Sequence, residues 1–346
     1  MSHWPVGKLF FVICVSLSSF AVSADKLAAP KAAAKDGGKK IKIGFVLGTL
    51  QEERYQKDQK YFVDEAKKRG CDPVVMAADN NEQTQATKVE NLLSTGVKAL
   101  VIQAVNSDAA AAMVKAAHND KVPVIAYDRL INNAPVDFFI TVDAAAIGRI
   151  QAKEAVKYTK EKGNYVILMG QAGQSATNEI TNGVLDVLKK YPGIKVVVKQ
   201  THEGWSPSLA MATVENTLTK NQNKIDAILA NNSGMAQGAV QALKEQGLAG
   251  KIFVAGSDAD LANIKNIVAG HQHVEVLKEI ETFAREAGRI ACQFAKGEKP
   301  EGNVTVKSGE HLVKTLQMQV YPVTKSNLEE RVFATGFHTK KAVYGK

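Results

Sequence analysis

Residues 41–47 read IKIGFVL, and residues 53–69 read ERYQKDQKYFVDEAKKR. The first stretch is a short apolar run typical of a buried strand. In the second stretch Tyr55, Phe62 and Ala66 recur on one helical face, and a glycine follows where a helix commonly ends. These two stretches therefore predict a strand followed by a helix, the basic unit of an α/β fold.

The same alternation continues outward from this unit to about residue 295. The further strand-like runs are PVVM (73–76), KALVIQ (98–103), VPVIAY (122–127), FFITV (138–142), NYVILM (164–169), IKVVVKQT (194–201), IDAILA (225–230), KIFVA (251–255) and HVEVL (273–277). Helical stretches separate them, including 182–191 and 236–245. Near-continuous apolar strands between helices indicate parallel sheets covered on both faces. The rhythm restarts near residue 145, which predicts two similar lobes of about five strands each.

The N-terminus has the layout of a cleavable secretory signal over residues 1–24. Lys8 precedes an apolar run, and the run ends in the small residues Val22, Ser23 and Ala24. A retained membrane anchor is the alternative, but the run is short and rich in serine for a bilayer of roughly 30 Å. Residues 25–40 are rich in Ala, Lys, Gly and Pro, which predicts a flexible tether.

Charge and cysteine content narrow the class of protein further. The chain of 346 residues carries a formal charge of +9, and part of this excess lies in the predicted signal and tether. Basic runs such as 67–69 lie on predicted helix faces, so we expect no nucleic-acid binding. Cys71 and Cys292 are far apart, which predicts two isolated, partly buried thiols and no disulfide framework.

The sequence lacks the common signatures of enzymes and metal sites. It contains no GxGxxG, P-loop, GxSxG or HExxH motif, and His271 and His273 have no convincing set of ligands around them. We therefore expect no catalytic residue, no metal and no cofactor.

Polar side chains follow several predicted strands, at the sheet edge where α/β proteins bind ligands. They include Arg54 and Tyr55, Asp128 and Arg129, and Asp258. Arginine supplies donors and aspartate supplies acceptors, which suits a ligand with many hydroxyl groups. An aromatic ring such as that of Trp205 packs well against the C–H face of a sugar, and Tyr55 is a candidate for the opposite side.

Several long stretches together resemble a known family. The stretches KIGF, ERYQKD, AYDRLI, ILMG, EGW, NQNKIDAILANN and GSDADLANIKNI resemble those of periplasmic D-xylose-binding proteins of bacterial sugar importers, over residues 41–302. The resemblance implies a type I periplasmic binding protein with two doubly wound parallel-sheet α/β lobes and three hinge crossings. The implied N-terminal lobe comprises residues 41–143 and 279–318, and the C-terminal lobe comprises residues 144–278 and 319–346.

The resemblance also implies a set of ligand-contacting residues. These are Arg54, Tyr55, Asp128, Arg129, Trp205, Asn232, Asp258 and Lys278, with Asn178 as a candidate substitute for a missing polar run. Ala144 and Ser233 depart from the family pattern, where Asn and Asp are expected. Loss of acidic groups predicts a more positive pocket and a ligand other than plain xylose: another pentose or hexose, a cyclitol or an anionic sugar derivative.

The function implied is capture of a small carbohydrate in the periplasm by hinge closure, followed by delivery to an ABC importer. We expect a monomer that is not an enzyme. The alternative is a periplasmic sugar sensor that feeds a chemoreceptor or a histidine kinase.

Overall fold

A computed structural model describes residues 40–345, in which strands and helices alternate. The first part contains β1 (Ile41–Leu47), α1 (Glu53–Lys68), β2 (Cys71–Ala77), α2 (Glu82–Ser94), β3 (Leu100–Ile102), α3 (Ala111–Asn119), β4 (Val124–Tyr127) and β5 (Phe138–Val142). The middle part contains α4 (Ala144–Thr159), β6 (Gly163–Met169), α5 (Ser175–Leu188), β7 (Ile194–Thr201), α6 (Pro207–Lys220), β8 (Ala227–Ala230), α7 (Ser233–Glu245), β9 (Phe253–Ser257), α8 (Leu261–Ala269) and β10 (Val274–Lys278). The last part contains α9 (Ile280–Ala295), β11 (Val304–Ser308), β12 (His311–Met318), β13 (Val320–Val323) and α10 (Lys340–Tyr344).

The strands of this region form two sheets. One has the order β11-β12-β5-β4-β3-β1-β2, and the other has the order β13-β10-β9-β8-β6-β7. The pairs β11–β12 and β10–β13 are antiparallel, and every other neighbouring pair is parallel. The predicted architecture of two α/β lobes built on mainly parallel sheets is therefore confirmed.

The predicted number of strands per sheet is too low. The structure adds β11 and β12 to the first sheet and β13 to the second, which gives seven and six strands in residues 40–345. The edge strand β11 is largely exposed. It therefore lacks the continuous apolar run by which the buried parallel strands are recognised. Among the same residues, no helix is long and apolar enough to cross a membrane.

Two helices begin earlier than the sequence predicts. The helix expected over 182–191 is α5, which starts at Ser175, and the helix expected over 236–245 is α7, which starts at Ser233. Glycine, serine and asparagine in front of each helix have the composition of a loop. At α7 one of these polar residues caps the helix, since the Asn232 side chain accepts a hydrogen bond from the Met235 N–H.

At three places a single residue joins a strand of one sheet to a strand of the other sheet or to a helix that packs on it. Asp143 lies between β5 and α4, Glu279 between β10 and α9, and Gln319 between β12 and β13. Helix α9 packs against α1 and the first sheet, whereas α4 packs against α5 and the second. The crossings at Asp143 and Glu279 directly follow the carboxyl ends of β5 and β10, and the carboxyl ends of strands from the two sheets face each other across a cleft.

The prediction that Cys71 and Cys292 are free thiols is wrong. The two residues form a disulfide, their Cα atoms are 6.2 Å apart, and both are buried. The bond links the first residue of β2 to α9, across a sequence separation of 221 residues. The spacing of the two cysteines does not indicate this bond, because only the packing of α9 on α1 and the first sheet brings them together.

We expect a protein of residues 25–346 to contain no free thiol before reduction and two after it, since this range contains only Cys71 and Cys292. The variant in which both are serine should lose about 2–5 kcal/mol of unfolding free energy, because the bond restricts the unfolded chain. Thiol titration in denaturant and urea unfolding would measure both effects. The single variant Cys292→Ser also breaks the bond, so its unfolding free energy should fall by a similar amount. Two reactive thiols in untreated protein would contradict the assignment.

Candidate functional site

The side chains that follow the strands converge on a small cavity between the two sheets, with a volume of about 20 Å³. Seven of the nine predicted site residues line it; Arg129 and Asn178 do not. The cavity is lined by Glu52, Arg54, Tyr55, Asp128, Ala176, Ile180, Trp205, Asn232, Asp258 and Lys278. It lies at the carboxyl ends of strands from both sheets, which is where open α/β sheets bind their ligands.

A buried guanidinium lies at the centre of the site. Arg54 is 2% exposed, and its Nη1 lies 3.0 Å from Asp128 Oδ1 and 3.5 Å from Asp258 Oδ1. Its Nε lies 3.3 Å from Asp58 Oδ2. Asp258 follows a strand of the second sheet, so this group of charges joins the two lobes. A buried charge needs such partners, because desolvation of an unpaired ion is strongly unfavourable.

The same cluster determines the charge of Asp128. Burial alone would raise its pKa, but the guanidinium of Arg54, together with Lys278 and Arg129, holds the pKa of this carboxyl well below its usual range. The hydroxyl of Tyr55 also donates to Asp128 Oδ2 over 3.1 Å. Asp128 is therefore ionised at neutral pH and accepts hydrogen bonds.

Arg129 lies just behind the cavity wall and supports it. Its Nη2 donates to the Tyr55 hydroxyl over 3.2 Å, and its Nη1 donates to the Ala104 carbonyl over 2.9 Å. Its guanidinium carbon is 6.0 Å from the centroid of the Trp205 ring. Arg129 therefore fixes the orientation of Tyr55 and borders the indole.

Trp205 is held rigidly at the cavity wall. Its indole N–H donates to Gln174 Oε1 over 2.6 Å, and the side chain is 6% exposed. The backbone of Trp205 has a φ of 55°, a left-handed conformation that is uncommon for residues other than glycine. Gly170 lies directly against the ring, where a Cβ atom would overlap the indole. These contacts fix the ring plane on one side of the cavity.

A strained turn presents Asp258 to the cavity. Asp258 and Ala259 have φ values of 103° and 58°, and such conformations cost about 1–3 kcal/mol each. The Ala259 N–H donates to Glu275 Oε2 over 2.9 Å, and the Ala259 carbonyl accepts from His338 Nε2 over 2.8 Å. The turn is thus held from both sides. Asp258 Oδ1 lies 2.9 Å from Lys278 Nζ.

Ser233 does not border the cavity, contrary to the expectation that its replacement of an acid makes the pocket more positive. Its buried hydroxyl donates to Glu275 Oε2 over 2.8 Å and accepts from the Asp260 N–H over 3.2 Å. An aspartate at this position would lie beside a buried glutamate. Ser233 therefore supports the turn at Asp258 and does not set the charge of the cavity.

Asn178 is exposed on α5 and does not line the cavity. Because α5 begins at Ser175, the cavity face of its first turns carries Ala176 and Ile180 instead. Their spacing of four residues would identify them once the helix start is known. Glu52 was also missed; burial raises the pKa of its carboxyl, and its position directly before Glu53 in a strand-end loop was the available signal.

The mouth of the cleft beside this cavity is acidic. Its lining includes Glu53, Asp79 and Glu203, together with Glu52 and Asp260, whose raised pKa values favour the neutral acid, and none of the described residues that line it is lysine or arginine. A negative mouth repels anionic ligands before they reach the cavity.

Asp260 is the most strongly perturbed acid at this mouth. Burial, followed by the nearby carboxylates of Asp258 and Glu53, raises its pKa from 3.8 to about 8. Burial also raises the pKa of Glu275 to about 7. Both side chains therefore keep their protons in the folded protein at pH values where an unfolded chain would lose them.

Comparison with known proteins places the chain among sugar-binding transport proteins. A family model described as a periplasmic binding protein domain matches residues 43–299. The D-xylose-binding periplasmic protein of Escherichia coli is 40% identical over 87% of this chain and 92% of its own length. The protein of the same name from Haemophilus influenzae is 38% identical over 88% of this chain and 93% of its own length.

A solved structure gives the same result for the fold. The carbohydrate transporter solute-binding protein of Chloroflexus aurantiacus, in complex with D-glucose, superposes with a TM-score of 0.81. It is 26% identical and covers 88% of this chain and 98% of its own.

We expect the protein to lose stability as pH rises, because folded Asp260 binds a proton that the unfolded chain releases above about pH 4. This contribution is full at low pH and is lost progressively between about pH 4 and pH 8, by at most about 1.4 kcal/mol per pH unit. Asp260→Asn should flatten the decline, as measured by thermal unfolding from pH 5.5 to 8. The exposed Asp120→Asn is the control. Equal slopes for the parent and Asp260→Asn would contradict the assigned pKa.

Proposed function

The chain belongs to the periplasmic binding protein family and, within it, to the D-xylose-binding group, and on this premise we propose that it captures one neutral monosaccharide between its lobes. Xylose or a related pentose or hexose fits the proposal. The observation that carries it is the cavity wall, to which both lobes contribute polar groups around an indole ring. Such groups offer donors and acceptors to hydroxyls, and the indole offers a flat apolar surface to C–H groups.

The charges of the cavity favour a neutral ligand. Its wall contains the carboxylates Asp128 and Asp258 against the cations Arg54 and Lys278, besides Glu52, whose pKa is raised by burial. Both cations already lie within ion-pair distance of a carboxylate. An anionic sugar derivative would meet no unpaired cation in this wall and would first pass the acidic mouth. We therefore prefer a neutral sugar to the anionic derivative that the sequence left open.

We propose hinge closure as the mechanism of capture. The crossings at Asp143, Glu279 and Gln319 are the proposed hinges, and they divide the lobes at 143/144, 278/279 and 318/319. A ligand that contacts Asp128 on one lobe and Trp205 on the other binds the closed state better than the open one. It therefore shifts the population toward closure by that difference in affinity.

We further propose that the loaded protein works in the periplasm as a monomer and delivers its sugar to an ABC importer without changing it. The relatives are sugar-binding transport proteins. The proposed export signal at residues 1–24 lies outside the described residues. The second candidate role, a sensor that feeds a chemoreceptor or histidine kinase, uses the same closed form, and deletion of the cognate permease would separate the two roles by abolishing uptake only in the first.

Calorimetric titration with a panel of ligands tests the choice of ligand. The panel contains D-xylose, D-glucose, a cyclitol, a uronate and a sugar phosphate. We expect tight 1:1 binding of a neutral sugar and binding at least about 100-fold weaker for its uronate, because the acidic mouth and the paired cations disfavour a carboxylate. Tighter binding of the uronate or the sugar phosphate would contradict the proposal.

Substitutions of Trp205 and of Arg129, whose guanidinium lies behind Tyr55, test the site. Trp205→Ala and Arg129→Ala should each abolish detectable binding of the sugar while the thermal unfolding of each variant remains cooperative. Trp205→Phe keeps a ring but loses the N–H donor, so we expect it to retain weakened binding, by roughly tenfold. Unchanged affinity in Trp205→Ala or in Arg129→Ala would remove that residue from the site.

A further inference from the structure

The segment 173–175 connects the two lobes directly through hydrogen bonds. It follows β6 of the second sheet, yet the Ser107 N–H donates to its Gly173 carbonyl over 2.9 Å. The Ser175 N–H donates to Ser107 Oγ over 3.1 Å, and the Leu130 N–H donates to Ser175 Oγ over 2.9 Å. Ser107 and Leu130 follow strands β3 and β4 of the first sheet, so these three hydrogen bonds cross the cleft.

Gln174, the central residue of this segment, binds both lobes with one side-chain amide. Its Oε1 accepts the indole N–H of Trp205 over 2.6 Å, and its Nε2 donates to the Val105 carbonyl over 3.0 Å. The orientation of the amide is unambiguous, because an indole N–H only donates and a carbonyl only accepts. The side chain is fully buried, so water does not replace either partner in this closed arrangement.

The position of Gln174 in the chain does not explain these contacts. It is the N-cap residue of α5, but its side chain makes no capping hydrogen bond to that helix. By contrast, Asn81, Asp143, Ser206 and Asn232 each use the side chain to cap the helix that they precede. Instead, the two polar atoms of the Gln174 amide bind the Trp205 indole and the Val105 carbonyl of the opposite lobe.

We propose that Gln174 is a positioning residue that couples the orientation of the Trp205 indole to lobe closure, an inference that rests on the proposed function. When the lobes separate, the amide loses Val105, and the acceptor for the indole is no longer fixed. When they close, the amide is held at both ends and orients the ring across the cavity. The bonds made by Ser107 and Ser175 also join the two lobes, so they add to the stability of the closed, binding-competent state.

Two variants of Gln174 change the two hydrogen bonds of its side-chain amide in different ways. Gln174→Glu keeps an acceptor for the indole but places an oxygen against the Val105 carbonyl, whereas Gln174→Met removes both hydrogen bonds with little change in shape. Ser175→Ala is the matched variant, since it removes the bond from Leu130 and leaves the indole contact intact. Trp4 lies in the predicted signal, so Trp205 is the only tryptophan of the exported chain and its fluorescence reports on this ring alone.

The experiment combines titration with the tightest neutral sugar and acrylamide quenching of Trp205, with thermal unfolding to verify the fold. We expect Gln174→Glu and Gln174→Met to bind about 10- to 100-fold more weakly, and Trp205 of their saturated forms to stay open to quenching. Ser175→Ala should bind only several-fold more weakly and, once saturated, protect Trp205 as the parent protein does.

The outcomes separate this inference from the proposed function. If the parent protein binds no sugar of the panel, the proposed function fails and the coupling falls with it. If the parent binds a sugar but both Gln174 variants bind within twofold of it, or protect Trp205 equally when saturated, the coupling alone is overturned. Where Gln174→Glu does not fold, Gln174→Met decides by the same criteria.

Discussion

The buried guanidinium of Arg54 is the constraint on which the site depends. It lies within ion-pair distance of Asp58 and Asp128 on its own lobe and of Asp258 on the other. Removing such a charge from water is unfavourable unless several acceptors surround it. The closed arrangement supplies these acceptors from both lobes. The approach of the lobes therefore also balances the charge of Arg54 in the cavity.

The rest of the site is held in place by rigid and partly strained elements. Asp128, Trp205 and Asp258 all have positive φ values, which are uncommon outside glycine and cluster at functional positions. Each is supported from behind: Asp128 by Tyr55, Trp205 by Gly170 and Gln174, and the Asp258 turn by Glu275 and His338. Binding groups that are already oriented lose little freedom when a sugar arrives, which favours affinity.

Much of this architecture is readable in the sequence, and the reason is specific. Strands buried on both faces, such as 41–47 and 138–142, are continuous apolar runs, so their bounds coincide with the prediction. Residues that directly follow parallel strands, such as Asp128 after β4 and Asp258 after β9, line the cavity, because the carboxyl ends of parallel strands share one edge of a sheet. The exposed strand β11 gave no comparable signal.

The features that the sequence does not predict depend on contacts between distant segments. The Cys71–Cys292 disulfide and the role of His338 require the tertiary packing of late segments on early or middle ones. The exposed position of Asn178 depended on where α5 begins, and the loop-like composition before Ser175 concealed that point. Likewise, the prediction of a positive pocket counted the acids lost at single positions, but Ser233 faces Glu275 rather than the cavity.

Closure of the two lobes over a neutral sugar is the central claim, and small-angle X-ray scattering measures it most directly. Scattering curves of residues 25–346, recorded for the protein alone and at saturation with the tightest neutral sugar of the panel, report its overall compactness in solution. The account predicts a smaller radius of gyration and a shorter maximum dimension in the saturated protein, because the lobes pivot about their three crossings. Identical curves at a saturation verified by calorimetry would contradict it.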